Sequence, residues 1–260
     1  VELQDIFVWP ELRKKALLTG SEEASVVKGE DIMPLLEESN YSVIFGSDES
    51  GKTSLAKMIF LAFHKAGYVP LFIKKNTRLR LGEALPDTLY EQFEKQYQNP
   101  SSEAYHQLDR QRRVVIIDDY HQLMDNRGKR ERLLRGLCEF AGNVVILGGD
   151  ILLDVPDTAR ALGIPEQRAD FVFYQIEPFA RVQRDKLVEN WLLMGHRESG
   201  KPRDFLQRLD HIAKTIEKVI GSNYVPPYPV YLLSILQAAE TATPIDTSQS
   251  AHGYFYELLI

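Results

Sequence analysis

Apolar residues in the first two thirds of this chain fall into short dense runs; in the last third they recur at helical spacing. The runs at 41–46, 69–74, 113–118, 143–148 and 171–176 are rich in Val, Ile, Phe and Tyr and lack the alternation of a half-exposed strand. They predict strands buried on both faces of a parallel sheet. Helical stretches are predicted between them near 52–65, 86–110 and 128–140, the first carrying Leu55, Ile59 and Phe63 on one face. Alternating strands and helices predict an α/β fold, a parallel five-stranded sheet flanked by helices. From Phe179 onward the pattern is helical alone, with segments at 179–194, 203–220 and 229–240 that predict a small helical lid. Residues 1–25, with Phe7-Val8-Trp9-Pro10-Glu11-Leu12 and a polar stretch from Ser21 to Ser25, read as an appendage or linker. The expected domains are therefore 1–25, 26–178 and 179–260.

The segment between the first strand and the first helix carries the most chemistry. Gly46-Ser47-Asp48-Glu49-Ser50-Gly51-Lys52-Thr53 fits the GxxxxGK[ST] pattern at every fixed position and follows Tyr41-Ser42-Val43-Ile44-Phe45. Glycines allow a tight turn, backbone N–H groups can surround a β-phosphate, and Lys52 can reach β- and γ-phosphates. The Thr53 hydroxyl can ligate Mg²⁺, and Ser54 completes the set of loop residues expected to touch nucleotide. The α/β unit is thus expected to be a P-loop NTPase. In Arg113-Val114-Val115-Ile116-Ile117-Asp118-Asp119, four β-branched apolar residues end in paired carboxylates. A buried strand of this kind places acids at the crevice beyond the carboxyl ends of the sheet, where Asp118 can hold magnesium and Asp119 can polarise attacking water.

Composition sets the outer bounds. The 260 residues are 44% apolar and 26% charged, and no apolar run approaches the ~20 residues a spanning helix needs. The single Cys138 lies among Leu133, Leu134, Leu137 and Phe140, excludes an internal disulfide framework and fits a reducing, cytoplasmic setting with a packing role. The six histidines stand apart with no HExxH arrangement, so no zinc site is expected. His121 follows the acidic pair and either approaches a γ-phosphate or packs in a loop; Tyr120 either shields the site or completes the core. Arginine is concentrated at Arg110, Arg112 and Arg113 and again, with lysine, at Arg127, Lys129, Arg130, Arg132 and Arg135. With 31 basic against 37 acidic side chains the chain is formally −6, which favours a solvated helix face over a nucleic-acid site.

Together these motifs resemble the STAND class of signal-transduction ATPases, the AAA+-related branch that includes NACHT and NB-ARC switches and many prokaryotic defence sensors. The resemblance spans about residues 26–240 and extends to Ile176-Glu177-Pro178-Phe179, then Gln183 and Trp191, which look like the start of the lid. Pro226-Pro227-Tyr228-Pro229-Val230-Tyr231-Leu232-Leu233 looks like the segment whose proline touches the base, a role carried to Pro229. The resemblance implies an ATP/ADP switch with Mg²⁺, slow hydrolysis, self-association in the ATP state, an unknown activating ligand and an effector domain outside this chain. Two departures stand out. Val144-Val145-Ile146-Leu147 runs into Gly148-Gly149-Asp150 where many relatives place a polar sensor, and the chain stops at Gly253-Tyr254-Phe255-Tyr256-Glu257-Leu258-Leu259-Ile260 where relatives continue into a winged helix. Opening on Val1, the chain is expected to be a fragment.

Upstream, Val26 and Val27 stack on the adenine, form a short edge strand before the helix containing Ile32, Leu35 and Leu36, or do both. Two other functional classes share the loop and carboxylates: an interaction module that retains nucleotide with little turnover, and an ATPase acting on nucleic acid or protein complexes.

Overall fold

The computed structural model describes residues 2–15, 25–98, 101–149, 155–164, 170–195, 210, 212–217, 220 and 226–241. In chain order the elements begin with α1 (Leu3–Ile6), β1 (Leu12–Lys15), β2 (Val26–Val27), α2 (Ile32–Glu38), β3 (Tyr41–Phe45), α3 (Lys52–Lys65) and β4 (Val69–Ile73). They continue with α4 (Leu85–Gln96), α5 (Ser102–Gln107), β5 (Arg113–Ile117), α6 (Arg127–Phe140), β6 (Asn143–Gly148), α7 (Val155–Leu162) and β7 (Phe171–Ile176). Last come α8 (Arg181–Gly195) and α9 (Pro229–Thr241), with residues 212–217 helical between them. Two compact units emerge: Glu11–Asp48 with Lys52–Glu177, and Val1–Pro10, Glu49–Gly51 and Pro178–Ile260.

The first unit is an α/β sheet in the order β2-β1-β7-β3-β6-β5-β4. The five expected strands form its parallel part, and two further strands, β1 and β2, join antiparallel beside β7. The sheet therefore has seven strands, against the five expected. Leu12-Arg13-Lys14-Lys15 lacks an apolar run because only Leu12 is buried; the strand is held by its backbone ladder to β7 and by Arg13, which makes a two-pronged ion pair with Glu177 at 2.7 and 3.1 Å. β2 is two residues long, below what periodicity can register.

Every residue of β3 and β6 is buried. Tyr41, Val43 and Phe45 face a core shared with Leu71, Ile73, Val115, Ile117, Leu89 and Leu137. Helix α4 packs on β4 and α6 on β6, while α3 contacts β4, β5 and β6. From α3 come the fully buried Ile59 and Phe63, each contributing about 2–3 kcal/mol of apolar burial. Cys138 lies in the core that Tyr41, Val43 and Phe45 face, 3% exposed and without a disulfide. The predicted helix at 86–110 is two helices: α4 ends at Gln96 with Tyr97 as its C-cap, and Ser101 caps α5 by accepting the Ala104 N–H. Helix α7 is an addition to the expected elements.

In the second unit Phe179, Leu187, Val188, Leu192, Ile212, Ile216, Leu232, Ile235 and Leu236 form a separate helical core, against which Ile6, Val8 and Trp191 pack. The Phe179 N–H donates to Pro227 O at 2.9 Å, joining the start of this segment to the approach to α9. Pro229 opens α9, where its fixed φ and missing N–H cost nothing. The expectations for residues 21–24, 203–209, Asp150 and Gly253–Ile260 lie outside the described residues. Among the described residues no helix is long and apolar enough to cross a membrane.

Candidate functional site

Parallel pairing brings the carboxyl ends of four strands to one edge. Phe45 pairs with Gly148, Ile117 with Ile146 and Ile73 with Ile117, so Gly46, Gly149, Asp118 and Lys74 follow from neighbouring strand tips. The ladder extends one step further where the Asp118 N–H donates to Ile73 O at 2.9 Å. An edge of this kind in an open α/β sheet is where ligands bind.

The Gly46–Thr53 segment leaves β3 and enters α3. Two of its residues take positive φ, Glu49 at 69° and Gly51 at 89°. Gly51 adopts this freely, whereas Glu49 holds a conformation that carries a steric cost for a residue with a side chain. The Lys52 ammonium donates to Gly46 O at 2.8 Å and Ser47 O at 2.7 Å, and lies 4.0 Å from the fully exposed Asp48 carboxylate. Ser50 is 3% exposed with a buried hydroxyl oxygen that has no hydrogen-bond partner. Ser54 stands in the first turn of α3.

Thr53 faces the acidic strand tip: its hydroxyl donates to Asp118 Oδ2 at 2.7 Å. The other oxygen, Oδ1, is buried without a hydrogen-bond partner. Burial raises the Asp118 pKa above the ordinary carboxylate value; the Thr53 hydrogen bond pulls it down, the Asp119 charge pushes it up, and Lys52 lowers it. Asp119 takes the left-handed conformation, φ 54° and ψ 43°, at the start of the turn Tyr120–Gln122, with its carboxylate 3.9 Å from Lys75 Nζ.

These donors fit a triphosphate with magnesium. A hydroxyl beside a carboxylate with an orphaned oxygen forms a hard-oxygen set of the kind Mg²⁺ uses when phosphates supply other ligands, and the Lys52 ammonium on its flexible stem offers positive charge to those phosphates. Among the described residues no cluster of three His, Cys, Asp or Glu offers a metal cage built from protein alone.

Val26 and Val27 form β2, separated from β3 by β1 and β7, and Val26 is 44% exposed. Pro229 is in the second unit, where a Cβ built on Gly51 of the same unit would stand 3.6 Å from its Cγ. Tyr120 completes the core, fully buried. His121 is exposed, its Nε2 3.2 Å from the Gln122 amide nitrogen and its Cε1 3.9 Å from where a Cβ on Gly149 would lie. Much of the first arginine cluster is engaged internally: Arg110 donates to Tyr41 Oη and Cys138 O, Arg112 to Gly67 O, and Arg113 lies over the Phe140 ring at 5.0 Å. Lys75 escaped the sequence reading; its signal was a lysine pair at the tip of the second predicted strand, on the same edge as the phosphate-loop motif.

No family model matches the chain, and no curated protein matches it. Among solved structures it is similar to domain III of the Thermotoga maritima replication initiation protein DnaA, at 16% identity, covering 88% of this chain and 87% of that one, with a TM-score of 0.45. It is also similar to a chain of the E. coli MS115-1 HORMA:CdnC:Trip13 complex, at 17% identity over 83% and 78% with a TM-score of 0.40. A third likeness is to the Aeropyrum pernix ORC1 protein in complex with DNA, at 13% identity over 88% and 70% with a TM-score of 0.39. The functional reading rests on the geometry of this chain's own site.

Proposed function

We propose that this protein binds ATP and ADP with Mg²⁺ at the Gly46–Thr53 loop and hydrolyses ATP slowly, as a switch of STAND type. The observation that carries this reading is the Thr53–Asp118 contact beside the loop, a hydroxyl and a carboxylate 2.7 Å apart with the second carboxylate oxygen buried and unpartnered. Lys52 exchanges its two carbonyl acceptors for phosphate oxygens and, with the loop N–H groups, stabilises charge on the transferring γ-phosphoryl group. Thr53 and Asp118 hold the metal, which when bound neutralises phosphate charge. Asp119 orients water. Val26, Val27 and Pro229 are assigned to the base, and the helical segment from Phe179 onward to the lid.

Such chemistry is positioning and electrostatics, so displacements of about 1 Å cost about a hundredfold in rate. A lid that contacts ADP and ATP differently shifts its conformational population by that differential affinity. On this reading the ATP state self-associates and the chain serves a larger sensor-effector protein. The test is the identity and molar ratio of nucleotide released on denaturing gently purified protein. Near one ADP per chain supports the switch; an empty chain that shows no affinity for added MgATP contradicts it.

A further inference from the structure

The turn that follows the acidic pair is anchored by one side chain from outside it. Arg130, in the first turn of α6, donates from Nε to Met124 O at 3.1 Å, from Nη1 to Ala161 O at 2.8 Å and from Nη2 to His121 O at 3.3 Å. Two of these carbonyls belong to the segment after Asp119, and the third lies in the last turn of α7. The main chain of the same residue closes the arrangement. The fully buried Tyr120 hydroxyl sits 3.1 Å from both Arg130 O and Leu162 O, its single proton shared between them. Just beyond, Gly163 at φ 79° lets the chain pass so close to α6 that a Cβ there would stand 2.6 Å from Glu131 N and 3.1 Å from the Arg130 carbonyl carbon.

From this geometry we infer that Arg130 is a positioning residue for Asp119, fixing the water-orienting carboxylate by tying its turn to the end of α7. Asp119 holds a left-handed conformation that persists only when its surroundings over-determine it. Inside the turn the hydrogen bonds are short-range, Gln122 N–H to Asp119 O and Leu123 N–H to Tyr120 O. Among the described residues the hydrogen-bonding anchors that reach beyond it are those of Tyr120 and Arg130, both ending on α7, while the Lys75 ammonium stands 3.9 Å from the Asp119 carboxylate itself. A guanidinium serves here because its planar fork addresses three carbonyls at once and it carries positive charge to a helix C-terminus. A lysine offers one nitrogen and cannot address all three carbonyls across these two segments. The second basic cluster thus contributes one member to the site without touching substrate.

The inference rests on the water-orienting role proposed for Asp119, and its test separates the two. Steady-state kinetics with MgATP are measured for wild type, Lys52→Ala, Arg130→Lys and Gly163→Ala, the last displacing the end of α7 without altering any charge. Each kcat is expressed per folded molecule from a parallel unfolding curve. Both turn variants are expected to lose about tenfold or more in kcat, with KM for MgATP within about threefold. A residue that merely stabilises the fold would lower Tm and leave kcat per folded molecule intact, and that result overturns the inference, as does a loss confined to KM. Should Gly163→Ala fail to fold, Arg130→Lys decides alone. MgATP binding by wild type that Lys52→Ala abolishes keeps the functional reading whatever the turn variants do. If wild type does not hydrolyse ATP, hydrogen exchange decides: faster exchange at the Gln122 and Leu123 amides, with β3 unchanged, supports the anchoring, and unchanged exchange there overturns it.

Discussion

Replacing Asp118 by asparagine should move stability and chemistry in opposite directions. The carboxylate is 6% exposed; one oxygen accepts the Thr53 hydroxyl and the other is buried without a hydrogen-bond partner. Burial dominates the raised pKa, so the fold carries the ionised form at a cost. Asparagine keeps the shape and the acceptor for Thr53 while removing the charge. An unsatisfied buried polar group costs about 1–3 kcal/mol, and the new amide leaves a donor of its own, so a net gain of about 1 kcal/mol is expected at neutral pH without nucleotide. For a chain of this size that is about 2–4 °C in Tm. The pH dependence has a definite sign. Below the ordinary carboxylate range both folded and unfolded chains carry the proton, and the stabilising contribution of protonated Asp118 is complete; it is lost as pH rises through the raised folded value. The advantage of Asp118→Asn should therefore open as pH rises from about 4 toward 7. Differential scanning fluorimetry across that range reads it directly. The same variant should lose magnesium-dependent ATP hydrolysis by about a hundredfold or more. A variant less stable than wild type at pH 7 would refute the reasoning about the buried carboxylate, and one that hydrolyses MgATP normally would refute the metal role.

Phe63→Ala empties a fully buried site on α3 and should cost about 3–5 kcal/mol by urea denaturation; a loss under about 1 kcal/mol would mean that α3 is not packed on the sheet as described. The Gln96 side chain covers the free edge of β4, accepting the Phe72 N–H and donating to Phe72 O, both at 2.8 Å. Gln96→Ala should cost about 1–2 kcal/mol and raise the apparent mass in concentrated samples by light scattering; a monodisperse variant of unchanged stability contradicts this protective role. Glu49→Gly relieves a positive φ and should raise stability by a few tenths to about 1 kcal/mol, whereas a drop in Tm would show that the Glu49 side chain makes a contribution larger than its strain.

The parts of the fold that were legible in the sequence are those where burial on both faces left room for few polar residues. β3, β5 and β6 read as largely apolar runs despite the buried Ser42 and Asn143 and the Arg113 that opens β5, and the phosphate-loop motif placed the first of them before α3. β1 was hidden because three of its four residues are cationic and its stability comes from partners distant in sequence, β7 and Glu177. α7 was hidden by shortness: eight residues are about two turns, too few for a period to declare itself, although Asp157 and Arg160 form an ion pair across them at 2.8 Å. At the site, Lys52, Thr53 and Asp118 could be named because motif spacing encodes their roles. Lys75 was marked only by its place at a strand tip, and Arg130 only as one member of a basic cluster. Their relation to the acidic turn depends on which strands are neighbours and on where α7 ends, facts that no local pattern carries.

The central claim is that the Gly46–Thr53 loop holds a nucleoside triphosphate through Lys52. Calorimetric titration of MgATP into wild type and Lys52→Ala, each stripped of nucleotide and shown by circular dichroism to be folded, tests it most directly. The account predicts one site per chain in the wild type and affinity weakened by about a hundredfold or more in the variant. Equal affinity in the two folded proteins would contradict it.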